Sequence, residues 1–345
     1  MPATKSGPGA AKCSEETFIK LFEQMGATAL AGHLGTRERN IYSRRRDIES
    51  KRGIVLSAPS RPATLHPGRV NLELMNGSVL IGSDFHIWPG EESTCLKAFK
   101  KFTEELKPDA VILNGDVMDF PRISRHPQNW ETAPDPNEEI EAAQDHLQDI
   151  VSRCKRGAHK IWTLGNHDAR FESAIANAAP QYRGVNGVHL SDHFAVWQKA
   201  MSCFINEGTE AGRTMVKHRL SGGTHATFNN ARKAGTSIVT GHLHSQNIRP
   251  ISDYRSFDLY GVDTGCVADK DHRAFTYTED GPKDWRSGFA LLTYRDGRLM
   301  YPELFTKWSD GVIQFRGELH HVSKAKKETT SPTRKASYER SDSGR

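Results

Sequence analysis

Short apolar runs, each ending in a cluster of polar residues, recur through the middle of the chain. Ser78-Val79-Leu80-Ile81 leads into Gly82-Ser83-Asp84-Phe85-His86. Ala110-Val111-Ile112-Leu113 leads into Asn114-Gly115-Asp116-Val117-Met118-Asp119. Lys160-Ile161-Trp162-Thr163-Leu164 leads into Gly165-Asn166-His167-Asp168. Apolar runs of this length predict buried strands. Between them, Leu96, Phe99, Phe102 and Leu106 recur at helical spacing, as do Ile140, Leu147, Ile150 and Val151, and predict helices over 96–106 and 138–154. Strand and helix alternate, which predicts consecutive βα units. Three units in a row then deliver polar clusters at the same strand end, where open α/β sheets carry their sites.

The pattern continues toward the C-terminus. Thr214-Met215-Val216 is a short strand reaching His218, with Gly222-Gly223-Thr224-His225 close by. Residues 228–234 look helical. Ser237-Ile238-Val239-Thr240 is a strand ending in Gly241-His242-Leu243-His244. A further short strand over 256–262 precedes Asp263-Thr264-Gly265-Cys266. Residues 289–294 and 299–301, around Asp296-Gly297, predict a hairpin.

The first 70 residues follow a different pattern. Ser14 is a plausible N-cap for a helix to about Met25, with Phe18, Leu21, Phe22 and Met25 on one side. Gly26 breaks it. A second helix over 27–34 carries Leu30, Ala31 and Leu34, and Gly35 provides a turn. A third, over 37–52, turns Ile41, Tyr42 and Ile48 inward and carries Arg37, Arg39, Arg44, Arg45, Arg46, Lys51 and Arg52. Residues 26–36 resemble the helix-turn-helix modules in which small residues and a Leu-Gly-Thr precede a recognition helix. That resemblance implies a third helix in the DNA major groove, with Arg37, Arg39, Arg44 and Arg45 as candidate contacts. A plain helical appendage has the same outline. Residues 57–69 hold three prolines and no periodicity. The expected organisation is therefore 1–13 disordered, 14–56 a small three-helix module, 57–70 a linker, 71–320 an α/β catalytic domain and 321–345 a disordered basic tail.

Composition narrows the class. The chain has 345 residues, 36% hydrophobic and 26% charged, enough for one large domain and a smaller one. No apolar run reaches the ~18 residues of a membrane span. The N-terminus lacks the apolar core of a secretory signal, so a cytoplasmic location is the default expectation. Five scattered cysteines without a CxxC pair argue against a disulfide framework and a zinc ribbon. The net charge of +5 is concentrated at the ends: residues 1–70 hold twelve Lys/Arg against six Asp/Glu, and 323–345 hold seven against three. Basic ends on a balanced body suggest a polyanion partner, nucleic acid first, although a solubilising tail explains the C-terminal end as well.

Each polar cluster alone is ambiguous. Gly165-Asn166-His167-Asp168 could simply be an Asx-type turn closing a strand. Asp84 and His86, two apart, point the same way off an extended backbone, which suits metal ligation, and His242 and His244 repeat the arrangement. The loop over 120–137, with Arg122, Arg125, His126 and Trp130, either borders the site or is a solvated surface loop.

The clusters together are more specific. In order, the chain holds Asp84-x-His86, Gly115-Asp116-x-x-Asp119, Gly165-Asn166-His167-Asp168, a separate His218 and Gly241-His242-x-His244. Over about residues 78–268 this resembles the calcineurin-like metallophosphoesterase superfamily. The resemblance implies a four-layer α/β/β/α sandwich, with two packed sheets flanked by helices, and two divalent metal ions. Asp84, His86, Asp116 and His244 would hold one metal; Asp116, Asn166, His218 and His242 would hold the other, with Asp116 bridging. His225 competes with His218, because Arg219 stands where the family often has glycine. His167 would face the scissile phosphate, and Asp168 would orient its imidazole. Mixed imidazole, carboxylate and carboxamide donors suit manganese first, then iron or zinc. Such a site hydrolyses phosphate esters with a hydroxide bridging the metals.

The basic module and Arg122 and Arg125 tilt the expected substrate to DNA, making the chain a phosphodiesterase or nuclease. The alternatives are a phosphomonoesterase with a docking N-terminal module, and a DNA-binding regulator whose phosphoesterase body is inactive.

Overall fold

The computed structural model describes residues 13–56, 66–124, 133–278 and 283–322, and the chain divides into two units, residues 1–65 and 66–345. In the first unit, helix α1 (Glu15–Leu34) is capped by Ser14, whose side chain accepts a hydrogen bond from the Thr17 amide at 3.1 Å. Gly26, at φ 75° and ψ 177°, interrupts the helical path, so the first two expected helices are two arms of one bent element. Gly35 closes α1 in the left-handed conformation, and α2 (Glu38–Arg52) follows. Phe18, Phe22, Leu30, Ile41, Ile48 and Leu56 form the core of this unit. Tyr42, expected inward, is 43% exposed. Ile41 and Ile48 already define the buried stripe, and Tyr42 lies about 100° round the helix from Ile41.

The second unit runs β1 (Val70–Leu72), β2 (Gly77–Gly82), α3 (Thr94–Leu106), β3 (Ala110–Leu113), α4 (Pro136–Arg153), β4 (His159–Thr163), α5 (Asp168–Ala178), α6 (Leu190–His193), β5 (Gln198–Ala200), β6 (Cys203–Ile205), β7 (Thr214–Val216), α7 (Ala226–Ala234), β8 (Ser237–Thr240), β9 (Asn247–Ile251), β10 (Leu259–Asp263), β11 (Gly288–Arg295), β12 (Arg298–Leu299), β13 (Glu303–Ser309), β14 (Val312–Phe315) and β15 (Glu318–His321). One sheet has the order β1-β6-β7-β8-β10-β9. The other has β15-β14-β13-β11-β2-β3-β4-β5, with β12 paired to β11.

Strand periodicity builds the layers. Leu80, Val111 and Leu113 pack with Leu96, Phe99 and Phe102 of α3 and Ile140, Leu147 and Ile150 of α4. Their neighbours Val79, Ile81, Ala110 and Ile112 pack with Ile205, Val216, Val239 and Val262 of the first sheet. Ala231 of α7 packs with Ile238, Ile251 and Leu259 in a separate cluster. The result is the expected α/β/β/α arrangement. Strands β2, β3 and β4 are parallel neighbours, Leu80 beside Val111 and Val111 beside Lys160, so three polar clusters leave one sheet at one end. Strands β7 and β8, also parallel, bring His218 and the His242–His244 pair from the other sheet.

Several elements differ from expectation. Residues 66–70, assigned to the linker, belong to the second unit, and Val70 pairs with Cys203. Strands β1, β5 and β6, of three residues each, are too short to show a period. The strand expected over 256–262 is Leu259–Asp263, with Asp263 inside it. Helix α5 starts within the Gly-Asn-His-Asp cluster itself. The disorder expected for 1–13 and 321–345 and the linker over 57–65 lie outside the described residues, except for Cys13, His321 and Val322. No helix among the described residues is long and apolar enough to cross a membrane.

Candidate metal centre

The strand ends turn sharply. Asp84 (φ 55°), His86 (φ 40°), Asp116 (φ 52°), His242 (φ 70°) and His244 (φ 57°) all have left-handed backbones. The extended backbone expected for the Asp84–His86 and His242–His244 pairs is therefore wrong. These residues converge because the chain folds back on itself, not because alternate positions of a strand share a face. Adjacent turns are laced together: the Asp84 amide donates to Gly115 O at 2.9 Å and the His86 amide to Asp116 O at 3.1 Å. Two glycines permit the close approach. A Cβ at Gly165 would fall on the Asp116 carboxylate, and one at Gly115 would meet the His218 ring at 2.5 Å.

Three clusters result, in each of which the donor atoms lie within 4.8 Å of one another: Asp84, His86 and His244; Asp116, His218 and His242; and His86, Asp119 and His167. Asp84 Oδ1 lies 3.1 Å from His244 Nε2 and 4.0 Å from His218 Nε2, while Asp84 Oδ2 accepts from the His242 amide at 2.9 Å. Asp116 Oδ2 lies 3.0 Å from His218 Nε2, and Asp116 Oδ1 accepts from the His167 amide at 2.8 Å. His218 is buried and donates from Nδ1 to Asn114 O at 2.8 Å. His225, the competing candidate, is exposed before α7, and no cluster among the described residues includes it.

The donor set fits cations. Among the described residues, eight buried side-chain N/O atoms lack a hydrogen-bond partner, and four belong to this site: His86 Nε2, Asn166 Oδ1, His218 Nε2 and His244 Nδ1. Buried polar atoms are seldom left unsatisfied, so four of them on the turns that carry these clusters point to ligation. The electrostatics agree. Burial opposes charge on Asp84 and Asp116, yet His244 and His218 facing the first, and His218 and His167 facing the second, hold both carboxyls below the usual range. Burial likewise opposes charge on His218, but Asp116 and then Asp84 lift it to about 10. A proton there does the job a cation would do.

His167 is braced by a residue to which the sequence assigned no role. Its Nδ1 lies 2.7 Å from Asp119 Oδ1, and the same oxygen takes His86 Nδ1 at 3.0 Å. One carboxylate thus sets two rings, leaving His86 Nε2 free toward the cluster. Asp168, expected to hold the His167 imidazole, does something else. Its carboxylate accepts from the amides of Asp116, Val117 and Gly165 at 2.9, 2.9 and 2.8 Å and from Trp162 Nε1 at 3.0 Å. Because α5 begins at Asp168, this side chain points back beneath the turns instead of toward the ring. Removing it strands four donors. Asp168→Ala is expected to cost roughly 3–5 kcal/mol of stability, read as a lower guanidinium midpoint; a loss under about 1 kcal/mol would contradict this role. Arg170 also went unnoticed. It follows His167 at helical i+3 spacing, a signal visible only once α5 is known to start at Asp168.

The candidate substrate and DNA contacts fare unevenly. Arg122 donates to Ala133 O at 2.9 Å and pairs with Asp135 at 2.5 Å, so its charge already has a partner in the free protein. Arg125, with His126 and Trp130, lies outside the described residues. Arg37 and Arg39 are exposed. Arg44 donates to Cys13 O at 2.6 Å and covers Phe18, and Arg45 pairs with Glu49 at 2.8 Å and covers Phe22. Both therefore serve the core of their own unit, because an arginine flanking a buried stripe lays its stem over the apolar surface. Arg46 is the exposed member of that run.

The model of the calcineurin-like phosphoesterase family matches residues 77–264, more than half of the chain. The chain belongs to the calcineurin-like phosphoesterase family and is a metal-dependent phosphoesterase. It is 27% identical over 247 residues to the gene 54 protein of Mycobacterium phage D29, covering 67% of this chain and 93% of that protein. The gene 54 protein of Mycobacterium phage L5 is 26% identical over 259 residues, with the same coverage. Among solved structures, it is similar to zinc-complexed Vps29 from Entamoeba histolytica (14% identity, TM-score 0.39, 71% of this chain and 99% of that one). It is also similar to a dimetal phosphatase from Danio rerio (9% identity, TM-score 0.32, 72% and 99%).

Proposed function

We propose that this chain hydrolyses phosphodiester bonds in DNA at a dinuclear centre. The observation carrying the hydrolytic part is the gathering of Asp84, His86 and His244, and of Asp116, His218 and His242, each set with its donor atoms within 4.8 Å of one another. Two divalent cations, manganese first and iron or zinc next, would supply an acidified water and neutralise charge on the phosphoryl oxygens. Asp84, His86 and His244 would hold one of them and Asn166, His218 and His242 the other, with the Asp116 carboxylate offered to both. His167, oriented by Asp119, faces the phosphoryl group as proton donor or charge stabiliser. His242 is exposed, so the rim of the site is open at that point, which suits a polymer better than an enclosed small molecule. The exposed Arg37, at the N-cap of α2, and Arg39 and Arg46 within it favour a nucleic-acid partner over an uncharged one.

A manganese-supplemented assay with linear DNA, bis-p-nitrophenyl phosphate and p-nitrophenyl phosphate tests this. Cleavage of DNA and of the diester, with slower turnover of the monoester, is expected. A preference for the monoester would move the assignment to a phosphomonoesterase, and no turnover of any substrate would reject hydrolysis. Deleting residues 1–56 is expected to leave diester turnover intact. The same deletion should weaken DNA binding and flatten its salt dependence, by about 0.9 in slope for each phosphate no longer neutralised. Equal affinity in the shortened chain would reduce the module to an appendage.

A further inference from the structure

We infer that Arg170 is a phosphate-binding residue, whose guanidinium receives an oxygen of the substrate phosphoryl group beside His167. The inference rests on the phosphoesterase assignment and adds a ligand-binding group to that same site. With α5 starting at Asp168, positions 167 and 170 share a helix face. Arg170 Nη1 donates to Asp119 O at 2.7 Å, and Nη2 lies 3.2 Å from His167 Nε2. A guanidinium has donors only. His167 Nε2 must therefore present its lone pair to Nη2, and the ring proton sits on Nδ1, where Asp119 Oδ1 at 2.7 Å and Asp119 O at 3.2 Å accept it.

In that resting arrangement no carboxylate among the described residues is in ion-pair contact with the Arg170 guanidinium, and Glu139 acts on it only at longer range. Arg122, Arg153 and Arg316 are each paired with a carboxylate, whereas among the described residues none is paired with Arg170. Its partners are a backbone carbonyl and a neutral ring nitrogen. The carbonyl fixes one arm of the fork and so aims the other. A charge-assisted hydrogen bond to an anionic oxygen is roughly twice as strong as a neutral one. A phosphoryl oxygen arriving beside His167 therefore takes Nη2 from the ring, and the freed Nε2 can take up a proton from water before it donates to the ester. The hydrogen bond that masks His167 in the free protein becomes a hydrogen bond to substrate.

The test uses the full-length, metal-loaded chain with Arg170→Ala and Arg170→Lys. Inorganic phosphate binding is measured by calorimetry, alongside metal content and the kinetics of bis-p-nitrophenyl phosphate. Arg170→Ala is expected to weaken phosphate binding roughly tenfold or more, the worth of one charge-assisted hydrogen bond. KM should rise by a similar factor, kcat should fall less, and metal content should stay unchanged. Arg170→Lys keeps the charge without the fork and should recover part of the affinity, and it keeps the test readable if the alanine variant does not fold. Unchanged phosphate affinity would overturn the inference. So would affinity that falls only in step with metal, which would make Arg170 a brace for the Asp119 turn. Failure of the phosphoesterase assignment looks different: the unmodified chain would itself bind no phosphate and turn over no ester.

Discussion

Asp116→Asn should lower diester turnover by at least roughly a thousandfold, beyond the 10–100-fold typical of changes outside the ligand set, and should lower metal content as well. Asp116 is 1% exposed, with one oxygen fixed by the His167 amide and the other 3.0 Å from His218 Nε2. An asparagine keeps the volume and removes the charge. Whichever way its amide turns, one position is compromised: the NH2 group meets either the His167 amide, donor against donor, or the place a cation needs. The lifted His218 pKa depends chiefly on the Asp116 charge, so the same change relaxes that imidazole toward its ordinary value. Elemental analysis and diester kinetics check the prediction together. A variant holding both metals with a tenth of the original turnover would show that Asp116 is not shared between them.

His167→Ala should lower turnover by about 10²–10⁴-fold, the usual scale for a positioned proton donor, while leaving metal content unchanged. In the free protein Nδ1 faces Asp119 and Nε2 faces Arg170, an arrangement that suits a phosphate-facing group better than a metal ligand. Metal loss in this variant would mean the role is misassigned. The ring also occupies the Asp119 oxygen that orients His86, and Asp119 keeps its hydrogen bond to His86 once His167 is gone. The two substitutions therefore separate metal holding from phosphate chemistry, Asp116 affecting both and His167 only the second.

The sequence revealed the residues of the site more clearly than their pairings. The runs before Asp84, Asp116 and Asn166 are readable because a fully buried strand needs unbroken apolar residues, and the polar break after each marks the strand's end. The five clusters taken in order then carried the family and its fold. Which carboxylate serves which imidazole was not readable. Asp119 and Asp168 both lie near His167 in the motifs, and choosing between them requires knowing that Asp168 opens a helix and points back into the amides of the turns. The ion pairing of Arg122 and the stacking of Arg44 over Phe18 depend on segments far apart or differently folded, which residue spacing does not encode. The three-residue strands are held by their neighbours in the sheets and carry no signal of their own.

The left-handed backbone at Asp84, His86, Asp116, His242 and His244 has a consequence for how this chain can change. An L-residue in that conformation costs roughly 1 kcal/mol, a cost that glycine escapes and that Asp and His bear more readily than most side chains. Five such positions represent roughly 5 kcal/mol held against the fold, comparable with the whole stability of a modest domain. A lineage released from hydrolysis could relieve that backbone cost by drifting to glycine at these sites, but each step would erase a donor and, at Asp84 and Asp116, strand the His242 and His167 amides that those carboxylates accept from. The turns and the donor set are therefore tied together, and the centre cannot be dismantled without loosening the loops that carry it.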